Sequence, residues 1–395
     1  MLKLLWTPAA AAAPDADAYK RAADTLSSGD AILAVPRDRD TAFTGRDALR
    51  QAIRDWLARR SLSDQPVKLM LHGFDYDPRE AAGPDEDPYS LVYGYPGEAG
   101  PNHRLSWLPL VRECDEAGRS RQETAIAFAW VSTGSLTDYA GAGWGEPYQY
   151  ACVDLVCLAA RAVAEVLRIL ADEGARVDVL AHSLGTRLFT QAVAAFGPGD
   201  GTLNNVVLLD GAEFSVDAAA TFAGRGFSVV NVTNEEDKVL VAGAEQLGDP
   251  SRLPGTIEAC SLGRYGLGTV QGWEGIAAYP PNWVDIALDR QDVQAWFKAN
   301  GGYTLTATDG DRVHPSGGLN HWACYTEPGN RAWLTDLLWK PGCNGAAFAA
   351  IAGLPKGRRR ASQPVFAGVG IPGGTPMTMD ARIALQRGNQ GGAMG

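Results

Sequence analysis

A chain of 395 residues that is 46% hydrophobic and 21% charged has enough apolar material for a large core and lies far from the composition of a disordered protein. Its net charge of −11 and pI near 5.0 work against polyanionic partners, so nucleic acid is not an expected ligand. Mean hydropathy is −0.14, and no apolar run approaches the roughly 18 residues that cross a bilayer, so no transmembrane segment is expected.

The N-terminus, MLKLLWTPAAAAAPDADA, carries one lysine and a short apolar patch broken by Pro8. A secretory signal needs an uninterrupted apolar region of roughly 7–15 residues, so a cytoplasmic location is the expectation and secretion the alternative. Residues 1–30 read as an Ala-rich, loosely packed lead-in, and Ala31–Val35 as a short strand. Thr44 and Asp47 then form a capping signal for a helix near 46–60, with Leu49, Ile53, Trp56 and Leu57 at helical spacing. Lys68–Leu71 is a second strand, running into His72-Gly73-Phe74.

Residues 75–121 are rich in Pro, Gly and acid, with scattered aromatics (Tyr76, Tyr89, Tyr93, Tyr95, Trp107). A loop of this length reads as a lid or binding insertion. Ala125–Trp130 is the next strand. A Gly-rich aromatic loop (Tyr139, Trp144, Tyr148, Tyr150) leads to a long helix near 149–173 that stops at Gly174. Val206–Asp210 and Phe227–Thr233 are further strands, separated by a small helix near 215–223. Residues 245–300 form a second candidate insertion, with Trp273, Tyr279, Trp283 and a helix near 290–299. Tyr303–Thr308 reads as the last strand and 329–339 as a closing helix. About seven apolar strands alternating with helices imply a mostly parallel sheet covered on both faces. From 341 to 395 the chain is a Gly/Pro/Ala-rich tail with a basic knot at Lys356 and Arg358–Arg360, expected to be flexible.

The six cysteines (Cys114, Cys152, Cys157, Cys260, Cys324, Cys343) include no C-x-x-C and no zinc-type Cys/His spacing. They read as reduced, small hydrophobic residues, and no metal or cofactor is expected. The acidic clusters Asp85-Glu86-Asp87 and Asp309/Asp311 read as solvated loop acids.

The chemistry centres on VDVLAHSLGTRLF, residues 177–189. An apolar strand meets His182-Ser183-Leu184-Gly185, and an amphipathic helix starts at once, with Leu184, Leu188, Phe189, Ala192, Val193 and Phe196 on its inward side. Such a turn lifts the Ser183 hydroxyl clear of the sheet and puts the next N–H at a helix N-terminus, where an oxyanion can be held. Strand and helix nearly touch there, so the residues two before and two after the serine must be small. They are Ala181 and Gly185.

The stretch resembles the nucleophile elbow (G-x-S-x-G) of the α/β-hydrolase superfamily, with Ala181 in place of the first Gly. The combination HGF, AHSLG, NEEDKV and NHW, in that order, resembles its esterase/lipase-like members. The resemblance implies an α/β fold with large loop or cap insertions, a hydrolase domain over 1–340, and a serine acyl-transfer site ordered Ser, acid, His. Asp237 looks like the acid because Val239 completes D-x-V. Asp210, at the end of the preceding strand, is the rival, and Glu235 and Glu236 are substitutes. Of the five histidines, chain order leaves His314 and His321 for the base, and His321 occupies the family's position. The N–H groups of Phe74 and Leu184 would be the oxyanion donors, with His72 and His182 structural and His103 a surface residue. The implied substrate is a small-molecule or lipid-like carboxylic ester, its pocket walled by the aromatics of 89–107, 139–150 and 273–283. Acyl transfer to another acceptor, a thioester or amide substrate, and a non-catalytic binding protein on the same scaffold are the alternatives.

Overall fold

The computed structural model describes residues 1–6, 32–34, 46–78, 88–93, 105–132, 151–197, 201–222, 224–241, 261–269, 280–309 and 318–356. Eight strands form one sheet: β1 (Leu2–Trp6), β2 (Ile32–Ala34), β3 (Val67–Leu71), β4 (Ala125–Trp130), β5 (Val177–His182), β6 (Leu203–Leu209), β7 (Ser228–Thr233) and β8 (Trp283–Ala287). They lie in the order β2-β1-β4-β3-β5-β6-β7-β8, and every neighbouring pair is parallel.

Parallel strands are buried on both faces, and side chains alternate between the faces with period two. Leu4 and Trp6, Leu69 and Leu71, Phe128 and Trp130, Val179 and Ala181 enter one layer. That layer is covered by α1 (Arg46–Arg59), α2 (Val156–Asp172), α3 (Leu184–Phe196) and α4 (Ser215–Phe222). Met70, Leu180, Val207 and Val230 enter the other. It is covered by α5 (Gln291–Gly301), α6 (Pro328–Trp339), α7 (Gly345–Ala350) and the helical turns Pro88–Leu91 and Leu108–Val111. Among the described residues no helix is long and apolar enough to cross a membrane.

Several expectations need correction. Leu2–Trp6 is not a loose lead-in but a buried strand between β2 and β4. Trp283–Ala287, grouped with the second insertion, is the edge strand β8. Its central Asp285 disguises it. That carboxylate is buried and accepts from Asn231 Nδ2 (2.8 Å), Trp283 Nε1 (2.9 Å) and the Leu267 N–H (2.9 Å). Tyr303–Thr308 is not a strand. In place of a neighbouring strand, the Asn330 side chain accepts from the Thr306 N–H (3.1 Å) and donates to its carbonyl (2.7 Å).

In the first expected insertion, Tyr89, Tyr93 and Trp107 are core residues rather than pocket walls. They pack in the layer lined by Ala125, Ala127 and Ala129 of β4. The Tyr93 hydroxyl donates to the Phe128 carbonyl (2.7 Å) and accepts from the His72 N–H (3.1 Å). The tail also begins inside the fold. α7 lies so close to β7 that a Cβ at Gly345 would sit 2.3 Å from the Val229 carbonyl oxygen. Residues 357–395, His103, His314, Cys260, the acids 85–87, and Tyr95, Tyr139, Trp144, Tyr148, Tyr150, Trp273 and Tyr279 lie outside the described residues. The other five cysteines are unbridged.

At the opposite end of the sheet from its C-terminal loops, Lys68 of β3 and Asp178 of β5 stand side by side in register and form a buried ion pair. Asp178 also accepts from Asn204 Nδ2 (2.6 Å) and the Asn205 N–H (3.1 Å), and the Lys68 amine lies 4.8 Å from the Trp339 ring centre. Removing one partner strands the other charge in the interior. Lys68→Met is therefore expected to lower stability by about 3 kcal/mol in urea unfolding, without disturbing the opposite end of the sheet.

Candidate active site

The site assembles at the carboxyl ends of the strands, where ligands bind in open α/β sheets. β5 ends at His182, and α3 begins at Leu184, so a single residue makes the turn. Ser183 takes φ 54 and ψ −126, a backbone state that side chains other than glycine rarely occupy. Hydrogen bonds on either side hold it. The Ser183 N–H donates to the Leu209 carbonyl (3.0 Å), and its own carbonyl accepts from Thr186 (3.0 Å) and Ala212 (2.9 Å).

Close approach explains the small residues. A Cβ on Gly185 would lie 2.4 Å from the Leu71 carbonyl oxygen and 2.6 Å from that of His72. A Cβ on Gly73 would lie 2.8 Å from Ser183 Cβ and 3.2 Å from its Oγ. The HGF segment thus passes directly against the serine at Gly73. Leu184, first residue of α3, presents an N–H that has no acceptor within its own helix. Ala181 fits without strain as a fully buried residue of β5. Beneath the turn, Arg187 of α3 pairs with Glu213 (3.3 Å) in the interior and donates to the Cys152 carbonyl (3.0 Å). These contacts lock the start of the helix to the loop after β6.

His321 and Asp237 meet. His321 Nδ1 lies 2.6 Å from Asp237 Oδ2, with both side chains almost wholly buried. The other Asp237 oxygen accepts from the Leu240 N–H (2.9 Å). Asp210 does not reach His321 by a hydrogen bond. Its oxygens are buried with only the Cys324 thiol beside them, and burial, then the charge of Asp237, push its carboxyl well above the usual carboxylate range. Close buried carboxylates do not all ionise together, and here the proton stays on Asp210. Glu235 offers its main chain instead, its carbonyl accepting from Arg264 Nη2 (2.9 Å).

Two positioning residues were not apparent in the sequence. His182 was expected only as a structural side chain turned away from the serine. Its Nε2 hydrogen-bonds the His321 carbonyl (3.0 Å), and the two rings lie 4.6 Å apart, tying the His321 loop to the residue before Ser183. Asn234 Nδ2 donates to the Ala307 (2.8 Å) and Asn320 (2.9 Å) carbonyls, joining the end of β7 to two other loops. No local pattern around either residue signals these long-range bonds. Asn320 itself holds φ 62, and Asp75 and Asp210 are also left-handed, at φ 73 and φ 41. Together with Ser183 these are the four non-glycine residues of positive φ among the described residues, and all border this site.

A family described as an α/β-hydrolase of unknown function (DUF900) matches residues 108–239, a span that holds Ser183 and Asp237 but neither Phe74 nor His321. With the parallel sheet and the elbow, that match supports an α/β-hydrolase fold for the chain. No curated protein matches it.

His72 and His182, which lie beside the turn, are neutral. His72 Nε2 accepts from the Trp130 N–H (3.0 Å) and its Nδ1 bonds the Gly73 carbonyl (3.0 Å). Burial pushes it down to about 3. Burial, then the neighbouring His321, push His182 well below its ordinary value. An unfolded histidine takes up its proton near 6.5, whereas the folded His72 does so only near 3. Between those values the unfolded chain binds more protons, so stability is lost as pH falls through that window. His72 alone is expected to cost roughly 2 kcal/mol between pH 6.5 and pH 5. Thermal melts across that range should show the loss, and His72→Gln should reduce its slope.

Proposed function

We propose that this α/β-hydrolase is a serine hydrolase that cleaves carboxylic esters of small-molecule or lipid-like substrates through an acyl-enzyme on Ser183. The observation that carries the reading is the buried 2.6 Å contact between Asp237 and His321, joined by His182 to a serine in the strained turn of an elbow. Asp237 orients the imidazole with its proton on Nδ1 and leaves Nε2 as the base. His321 takes the Ser183 proton as Oγ attacks the ester carbonyl, and Asp237 balances the imidazolium that forms. The N–H groups of Phe74 and Leu184 hold the oxyanion of the tetrahedral intermediate. His321 then protonates the leaving alcohol, and water releases the acid by the same steps in reverse order. No step in this sequence calls for a metal or cofactor.

Fluorophosphonate labelling followed by intact mass needs only an activated serine. One adduct is expected on the wild-type chain, none on Ser183→Ala, and labelling slowed by at least about a thousandfold in His321→Ala. A panel of p-nitrophenyl esters graded by acyl length then reads the substrate preference. A folded wild-type chain that takes no label and turns over no ester contradicts the proposal.

A further inference from the structure

Asp309, expected from the sequence to be a solvated loop acid, is buried. It closes the stretch 303–309, and two side chains, Asn234 and Asn320, fix the position of its end. Asn234 Nδ2 bonds the Ala307 carbonyl (2.8 Å), and the same amide bonds the Asn320 carbonyl (2.9 Å). The Asp309 N–H donates to Asn320 Oδ1 (3.3 Å). Its carboxyl is thereby held against the loop that carries His321. Both carboxyl oxygens are shielded from water and accept no full hydrogen bond, while the Trp322 N–H, next to His321, is turned toward them.

We infer that Asp309 is a positioning residue for the acyl transfer proposed at Ser183, a second buried carboxylate that favours the imidazolium His321 becomes when it takes the serine proton. The inference rests on the serine-hydrolase reading. Among the described residues, the groups whose charge reaches Asp309 include His321, Asp237 and Glu327, together with Asp210, the Cys324 thiol and the Tyr325 phenol. Of these only His321 can become positive. A buried carboxylate with few donors gains from a cation that forms beside it, because the interior screens the attraction weakly.

Burial first, with Asp237 and Glu327 adding to it, raises Asp309 to about 6, while the Trp322 N–H and His321 pull it down. Near neutral pH it is ionised and supports the imidazolium. Below about 6 it takes a proton and the support is withdrawn. The support follows the charge on Asp309, so the carboxylate raises the plateau and the rate falls as it takes up its proton.

The test is the second-order rate of fluorophosphonate labelling of Ser183 from pH 5 to pH 9, for the wild-type chain, Asp309→Asn and Asp309→Glu, with melting temperatures of each. Asp309→Asn is expected to lower the plateau roughly tenfold and to remove the fall in rate that accompanies protonation of Asp309 near 6. Asp309→Glu restores part of both. Melting supplies a readout that does not depend on activity. Because burial raises Asp309, the wild-type chain loses stability as pH rises from about 4 to about 6. Asp309→Asn lacks that loss, so it gains on the wild type between pH 4 and pH 8. If Asp309→Asn does not fold, Asp309→Ser carries the same comparison.

An Asp309→Asn profile superimposable on a labelled wild type overturns this inference alone. A lower plateau with an unchanged pH dependence assigns Asp309 a merely structural role and overturns it too. A wild-type chain that takes no label at any pH overturns the serine-hydrolase reading and this one with it.

Discussion

The end of β3 and the turn at Ser183 come so close that neither Gly73 nor Gly185 has room for a Cβ. That approach dictates most of what surrounds it. The serine must leave β5 and enter α3 within one residue, which forces its left-handed backbone. Strain of this kind costs about 1–3 kcal/mol and persists only where the surroundings over-determine it. Here they do so through the bonds to Leu209, Thr186 and Ala212, and through the interior ion pair of Arg187 and Glu213 below. The three other non-glycine residues with positive φ, Asp75, Asp210 and Asn320, sit on loops that border Ser183, so the backbone strain among the described residues is concentrated at one place.

Charge is arranged around His321 by unequal access to hydrogen-bond donors. Asp237 receives two, from His321 and from the Leu240 N–H. Asp210 has only a thiol beside it and keeps its proton. Asp309 lies between these extremes, with one main-chain N–H turned toward it. His321 is thus surrounded by carboxyl groups that differ in their hydrogen-bond partners, and burial raises Asp210 and Asp309. His72 and His182, neutral by burial, add no competing positive charge.

Much of this was legible in the sequence because it is local. The elbow, the buried runs of β4 and β7 and the helical face of α3 each carry their signal within about ten residues. What was not legible depends on distant partners. β1 is five residues long, contains Lys3 and precedes an Ala-rich stretch, so nothing local marks it as buried between two other strands. β8 is interrupted by an aspartate whose burial is offset by Asn231, Trp283 and Leu267. The β-branched residues of 303–308 suggest a strand, but an asparagine side chain from α6 takes the place of the neighbouring chain. Aromatics that suggested a pocket wall fill the space above the alanines of β4. Among the site residues, His321 could be placed by chain order, whereas the choice between Asp237 and Asp210 depended on which carboxylate the fold turns toward it.

The central claim is that Ser183 and His321 act as one unit, and it is tested most directly by comparing kcat/KM on one p-nitrophenyl ester for Ser183→Ala, His321→Ala and the double variant. If His321 works only through the Ser183 proton, the double variant loses no more than about the worse single one, the non-additivity expected of a catalytic unit. Losses that multiply would mean that the two side chains act independently, and the elbow serine would not be the nucleophile that His321 activates.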